Sequence, residues 1–286
     1  MDVVHSVDRM REISSSHRRA GETVALVPTM GALHAGHLAL VRRAGSVASR
    51  VVVSIFVNPS QFGPEEDLAS YPRDLQSDLA ALEPLGVDHV FNPDASEVYP
   101  QGYQTRVRVT EVENHLCGLS RPVHFSGVAT VVLKLFNMCL PDYAIFGMKD
   151  YQQVRVIERM VQDLNVGVEI VRHPTVRESD GLAMSSRNRY LTSDQRKRAP
   201  AIYATLKRLK NDVMTGLRDA AVILERGRRE LTEAGLDLEY LNVCDAGTLD
   251  DVARVEDTVL IAAAVRLGAA RLIDNVLVNP FEEEDA

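Results

Sequence analysis

Leu26–Ala44 reads LVPTMGALHAGHLALVRRA, and this stretch decides the fold. TVALVP (23–28) predicts a buried strand, and the spacing from His37 to about Ser46 predicts an amphipathic helix. Pro28 ends the strand, and Gly31 and Gly36 let the backbone turn tightly before the helix. That places the turn at the carboxyl end of a strand, the edge where open α/β sheets bind ligands, with the helix amides facing the gap. His34 and His37 stand at this positive end and can donate hydrogen bonds to phosphate oxygens. The glycines are five apart, as in a P-loop, but His37 and Leu38 stand where a P-loop needs Lys and then Ser or Thr. An isolated loop histidine is usually just a polar residue. A pair around Gly36 at a strand-to-helix switch favours phosphate binding.

Outward from this stretch the same alternation continues. RVVVSIFVN (50–58), VDHVFN (87–92), YAIFG (143–147) and VEIVRHP (168–174) read as strands. DLQSDLAALEPLG (74–86), GVATVVLKLFNMCL (127–140) and YQQVRVIERMVQDL (151–164) read as helices. Strands alternating with helices predict a parallel sheet covered on both faces, an α/β doubly wound architecture. After about residue 175 the rhythm changes. Residues 194–234 hold two helical patterns split near Gly216, followed by β-like runs LEYLNVCD (238–245), DTVLIAAAV (257–265) and ARLIDNVLV (270–278). Helices followed by mainly antiparallel strands predict a smaller α+β domain at 176–286, after a first domain at 1–175.

Composition narrows the function classes. The chain has 286 residues, 45% apolar and 25% charged, ordinary for a globular protein. Lys and Arg number 32 against 40 Asp and Glu, a net charge of -8 that argues against a broad nucleic-acid surface. Cys117, Cys139 and Cys244 lack CxxC spacing and fit a reducing, cytoplasmic setting. MDVVHSVDRMREI places charges too often for a signal peptide, and no apolar run approaches the roughly 20 residues of a membrane helix. The acidic tail FEEEDA (281–286) reads as a solvated end.

Two further loops carry phosphate chemistry. FGMKDYQQ (146–153) follows a predicted strand and offers Lys149 for charge, Asp150 as a cap or orienting group, and Gln153 as a neutral fork. DGLAMSSRNRYL (180–191) offers Ser185, Ser186 and Arg187, which suit closure over a triphosphate; alternatively they form an ordinary cap before the next helix. None of the three loops contains a nucleophile–base dyad. All of them supply groups that stabilise negative charge, the requirement of nucleotidyl transfer.

VPTMGALHAGHLALV, VSIFVNPSQFGPEEDLASYPR, SRPVHFSGVATVVLKLFN, FGMKDYQQ and TVRESDGLAMSSRNRYL resemble, in order, the signature blocks of the pantothenate synthetase (pantoate–β-alanine ligase) family. The blocks span residues 27–191 and include its HxGH form of the nucleotidyltransferase signature. MSSRN resembles the KMSKS loop of related class I aminoacyl-tRNA synthetases. The resemblance implies a Rossmann-like first domain, a C-terminal domain closing over the site, and a homodimer. It also implies a two-step ligation with Mg²⁺-ATP through a pantoyl adenylate. In that scheme Met30, His34 and His37 hold ATP and the adenylate, with His37 toward the triphosphate and His34 at the attacked phosphate. Gln61 and Gln153 grip pantoate, and Val131 receives its gem-dimethyl group. Gly147, Lys149 and Asp150 contact the nucleotide, Asp150 on the ribose. Val176 and Met184 enclose the adenine, Ser185, Ser186 and Arg187 take phosphate charge, and Arg121 occupies a conformationally important position.

Two departures stand out. Met148 replaces the glutamate that usually precedes the lysine, and Ser77-Asp78 replaces an aspartate pair, leaving Asp78 as candidate Mg²⁺ ligand. Rival readings are a nucleotidylyltransferase with a phosphorylated acceptor, which Gln61 and Gln153 disfavour, and a non-catalytic nucleotide-binding module. Recognition of tRNA is disfavoured by the acidic balance.

Overall fold

The computed structural model describes residues 1–64 and 66–281, so Glu65 and nearly all of the acidic tail, 282–286, lie outside the described residues. The chain divides into two compact units. The first comprises Met1–Glu113, Arg121–Met148 and Gln153–Pro174; the second comprises Asn114–Ser120, Lys149–Gln152 and Thr175–Ala286.

In the first unit β1 (Asp2–Val4) and α1 (Val7–Arg19) precede β2 (Val24–Thr29), α2 (Ala35–Val47) and β3 (Arg50–Ile55). α3 (Leu75–Leu82), β4 (His89–Phe91) and α4 (Ala95–Val98) follow. Then come α5 (Cys117–Ser120), which belongs to the second unit, and α6 (His124–Cys139), β5 (Tyr143–Gly147), α7 (Tyr151–Asp163) and β6 (Glu169–His173). Among the described residues the strands form a six-stranded sheet in the order β1-β4-β3-β2-β5-β6, every pairing parallel. Strand order reverses between β2 and β5, where Ala25 pairs with Tyr143 and Leu26 with Ala144. A reversal of that kind opens a crevice beyond the carboxyl ends of its two strands. The sequence places its HxGH turn after β2 and its lysine turn after β5.

The sheet is held by its centre. Val24, Ala25, Leu26 and Val27 of β2 are fully buried, as are Val52 and Val53 of β3. Each such valine or leucine contributes about 1.5–3 kcal/mol relative to exposure. α6 is apolar nearly all round, hence its burial from Phe125 to Val132. β1 and α1 were not apparent in the sequence pattern. β1 is three residues long, below the length at which alternation is readable, while α1 begins at the N-cap Ser6, whose side chain accepts from Arg9 N.

In the second unit α8 (Ser193–Arg198), α9 (Ala201–Met214) and α10 (Ala220–Glu233) precede β7 (Asp237–Asp245), β8 (Val259–Leu267) and β9 (Ala270–Val278). The strands form an antiparallel sheet in that order. The expected two helices are three, because Pro200 interrupts the first pattern, while Gly216 separates it from the second. Central β8 is buried on both faces through Val265, which explains its unalternating VLIAAAV. None of the described helices is long and apolar enough to cross a membrane.

Candidate active site

The β2–α2 turn is built by its own functional side chains. His34 is the N-cap of α2 and accepts from Gly36 N at Nδ1, 3.2 Å; His37 Nδ1 accepts from His34 N at 3.3 Å. A backbone amide can only donate, so both Nδ1 atoms are acceptors and each neutral ring carries its proton on Nε2. The two rings stack with centroids 4.1 Å apart. The result is a capping box made of histidines, in which each ring carries its donor N–H at Nε2.

Backbone strain in front of the cap is held by Asp78. Gly31 and Ala32 both have positive φ, +81° and +51°, and alanine occupies that region reluctantly. Asp78 Oδ2 accepts from Ala32 N at 3.0 Å and Oδ1 from Leu33 N at 2.7 Å, fixing the strained turn. A Cβ on Gly31 would lie 2.8 Å from Asp78 Oδ2, so this approach requires glycine. The Mg²⁺ expectation for Asp78 is poorly matched by this environment. The residue is 4% exposed and both its oxygens hold backbone amides. Asp78 acts here as the fastener of the histidine turn.

Gln61 ends a short 3₁₀ turn, Pro59–Gln61, capped by Asn58. α6 lies against this turn so closely that a Cβ on Gly127 would collide with Ser60 O and the Gln61 backbone. Val131, one turn along α6, is buried. Met30 follows β2, and its Sδ accepts from Gln61 Nε2 at 3.1 Å, which brings the candidate nucleotide and pantoate residues of this unit together. A cleft of about 470 Å³ at the carboxyl edge is walled by Met30, Gly31, Ile55, Pro59, Asp78 and Asn92; neither histidine lines it. Gly147 closes β5, Met148 follows it partly exposed, and Gln153 lies half-buried on the first turn of α7. Arg121 is bonded by Nε to Glu66 at 3.0 Å. Burial alone would raise the Glu66 carboxyl, but the Arg121 hydrogen bonds outweigh it and hold it below the usual range.

In the second unit, Val176 and Met184 close the open end of a tight hairpin, Met184 N donating to Val176 O at 3.0 Å. Ser185 caps the 3₁₀ turn Ser186–Tyr190 by accepting from Arg187 N at 3.2 Å, so the cap reading of this serine is realised while its O–H remains a donor. Lys149, Ser185, Asn188 and Asp274 line one small cavity. Lys149 Nζ is 3.9 Å from Asp150 Oδ1, and Asp150 is exposed. Ser186 and Arg187 are half-buried.

Sequence reasoning missed the residues that hold this group. Asn275 Nδ2 donates to Lys149 O at 2.9 Å, which fixes the lysine backbone whatever stands at Met148. Asp274 takes a bidentate pair from Arg177, 2.6 and 2.9 Å, and Arg177 lies over the Tyr203 ring at 3.5 Å. Asn188 ties the serine turn to Glu178 and to Ala183 O. In the first unit the corresponding omissions are Asn58 and Tyr99. The Asn-Pro step of VNPSQF was the available signal, since Asn before Pro favours a turn.

The family model described as Pantoate-beta-alanine ligase matches residues 2–277. Pantothenate synthetase of Desulfatibacillum aliphaticivorans is 50% identical over 281 residues, covering 98% of this chain and 100% of that one. The pantothenate synthetase of Thermus thermophilus has a solved structure with TM-score 0.91 at 44% identity, covering 96% of this chain and 99% of that one. The pantoate-beta-alanine ligase of Francisella tularensis, solved in complex with beta-gamma ATP and beta-alanine, has TM-score 0.83 at 37% identity, covering 97% of each chain.

Proposed function

The chain belongs to the pantoate–β-alanine ligase family, and from that premise we propose that it joins pantoate to β-alanine with ATP through a pantoyl adenylate. One observation carries the chemistry: two stacked imidazoles, locked by backbone amides as Nε2–H donors, at the reversal point of a parallel sheet. Such donors stabilise negative charge and do not remove protons, which suits a nucleophile already ionised.

In the first step a pantoate carboxylate oxygen attacks the α-phosphorus, and the bond to the bridging oxygen of the β-phosphate breaks. Pyrophosphate leaves with the electron pair. His34 and His37 stabilise charge on the phosphoryl oxygens while Gln61 and Gln153 hold pantoate. Lys149, Ser185, Ser186 and Arg187 take phosphate charge; support for grouping them is the cavity that Lys149 shares with Ser185 and the serine cap that delivers Arg187. Val176 and Met184 flank the base, Asp150 takes the ribose, and Met30 and Gly147 border the nucleotide. In the second step the neutral amine of β-alanine attacks the acyl carbon, the carbon–oxygen bond to AMP breaks with its electron pair leaving on AMP, and the amine proton passes to solvent. No step is routed through a protein-held metal.

The test is to mix protein, ATP with its usual divalent cation, and pantoate, then assay pyrophosphate before any amine is added. Pyrophosphate dependent on pantoate is the expected result. Its appearance only after β-alanine addition contradicts the adenylate.

A further inference from the structure

Glu22 fixes the tautomers of two histidines at the amino edge of the six-stranded sheet, where Asp2, Arg50 and His89 open β1, β3 and β4. Its Oε2 lies 2.6 Å from His17 Nδ1, and its Oε1 accepts from Arg50 Nη2 at 2.5 Å. The hydrogen bonds from Arg50 and then His17 hold the Glu22 carboxyl down to about 2, so it is ionised and only accepts. His17 therefore carries a proton on Nδ1, and the neutral ring has a bare lone pair at Nε2. That lone pair faces His89 Nε2 at 3.0 Å, so with both rings neutral the His89 proton sits on Nε2 and donates across the gap. His89 Nδ1 is left as an acceptor. It is buried in a residue only 8% exposed and has no hydrogen-bond partner among the described residues. The nearest charge is the Asp2 carboxylate at 3.8 Å, acceptor facing acceptor.

We propose that His17 Nε2 and His89 Nε2 together bind a divalent transition-metal ion of the Zn²⁺ class, with water completing its shell. Two imidazole nitrogens each about 2.0–2.1 Å from a zinc ion stand about 2.9 Å apart at a right angle and about 3.3 Å apart at the tetrahedral angle. The observed 3.0 Å lies between these values, so the rings need only swing to aim both lone pairs at one ion. Binding moves the His89 proton from Nε2 to Nδ1 through solvent, with no net proton released. Nδ1–H then donates toward Asp2, and the orphaned acceptor is gone. Each ring now has a carboxylate at its far nitrogen, Glu22 behind His17 and Asp2 behind His89, the arrangement that orients metal-bound histidines. His17 and His89 open on a recess of about 510 Å³ that also carries Asp2, Glu83 and Asp88. The guanidinium in its wall, Arg50, is already matched by Glu22 and Asp88, so the remaining charge favours a cation. The site uses none of the residues assigned to the ligation and does not depend on that reading.

The experiment titrates Zn²⁺ into tag-free, chelator-washed protein by calorimetry at pH 7.5, beside His17→Ala and His89→Gln. Each variant is expected to lose one ion per chain, or to bind that ion more weakly by about tenfold or more. The second readout is the tautomer. Imidazole ¹⁵N spectra of the wild type should show His89 passing from Nε2–H to Nδ1–H as Zn²⁺ is added, and unchanged with Mg²⁺, which prefers oxygen ligands. Melting curves without zinc establish that the variants are folded; if His89→Gln is not, the wild-type tautomer and His17→Ala decide. Zinc uptake equal in wild type and variants, a loss confined to one of two folded variants, or a His89 that keeps its Nε2 proton under saturating Zn²⁺ overturns the proposal.

Discussion

The β2–α2 turn and the Thr175–Tyr190 region hold their candidate functional groups by opposite means. In the first, the candidate side chains are themselves the scaffold: His34 and His37 hold the start of the helix with Nδ1 and carry a donor at Nε2. In the second, neighbours do the holding. Asp274, Asn275 and Asn188 anchor Arg177, Lys149 and the serine turn. Where scaffold and chemistry share an atom set, a substitution damages both. Where they are divided, positioning and charge stabilisation can be lost separately.

His34→Ala and His37→Ala should give the largest loss. On the proposed mechanism each removes a donor to phosphate, worth about 10²–10³ in rate for comparable oxyanion contacts, and each also breaks the capping box, worth about 1 kcal/mol. Pantoate-dependent ATP–pyrophosphate exchange should drop at least tenfold, with a lower denaturation midpoint. Exchange at the wild-type rate would break the comparison on its first side.

Asp78→Ala should come next, because it releases the amides of Ala32 and Leu33 together. Hydrogen bonds to a charged group contribute about 1.5–3 kcal/mol, and the strained Ala32 loses its support. Exchange should fall about tenfold and stay low as Mg²⁺ is raised. Rescue by Mg²⁺ would restore the metal-ligand assignment.

Asn275→Ala tests the other side. It removes one neutral hydrogen bond to the Lys149 carbonyl, about 1 kcal/mol, so KM for ATP should rise about fivefold with the melting temperature nearly unchanged. A loss as deep as that of the histidine variants would mean that positioning and chemistry are fused in this region too.

The smallest effect is expected at the first residue of β4. Burial, followed by the neighbouring His17 charge, lowers the His89 pKa below its usual 6.5. His17 Nε2 lies 3.0 Å from His89 Nε2, while Glu22, Arg50, Asp88 and Asp2 complete the surroundings. Because the unfolded chain binds this proton more readily, stability should decline as pH falls from about 6.5 through the depressed folded value. Melting curves at pH 7.5 and 5.5 would show it, and His89→Gln should reduce the difference.

The turn at Leu26–Ala44 was legible because proline, glycine and histidine act locally there, and the strand–helix rhythm gave the doubly wound sheet and its antiparallel companion. Partners distant in the chain were not legible. Asp78 is 45 residues from Leu33, and Asp274 is 97 from Arg177; periodicity carries no information on such pairs. Asp78 is the example: nothing local in the sequence shows that it holds the amides of Ala32 and Leu33. Pro200, by contrast, was a local signal passed over.

The most direct measurement of the central claim follows an oxygen atom. Pantoate labelled with ¹⁸O in its carboxylate is turned over with ATP and β-alanine, and the AMP is analysed by mass spectrometry. Attack on the α-phosphorus under the two imidazoles predicts one ¹⁸O in each AMP. One ¹⁸O stays in the amide carbonyl by any route, so unlabelled AMP, with the second ¹⁸O found in another phosphate product or in water, would contradict it.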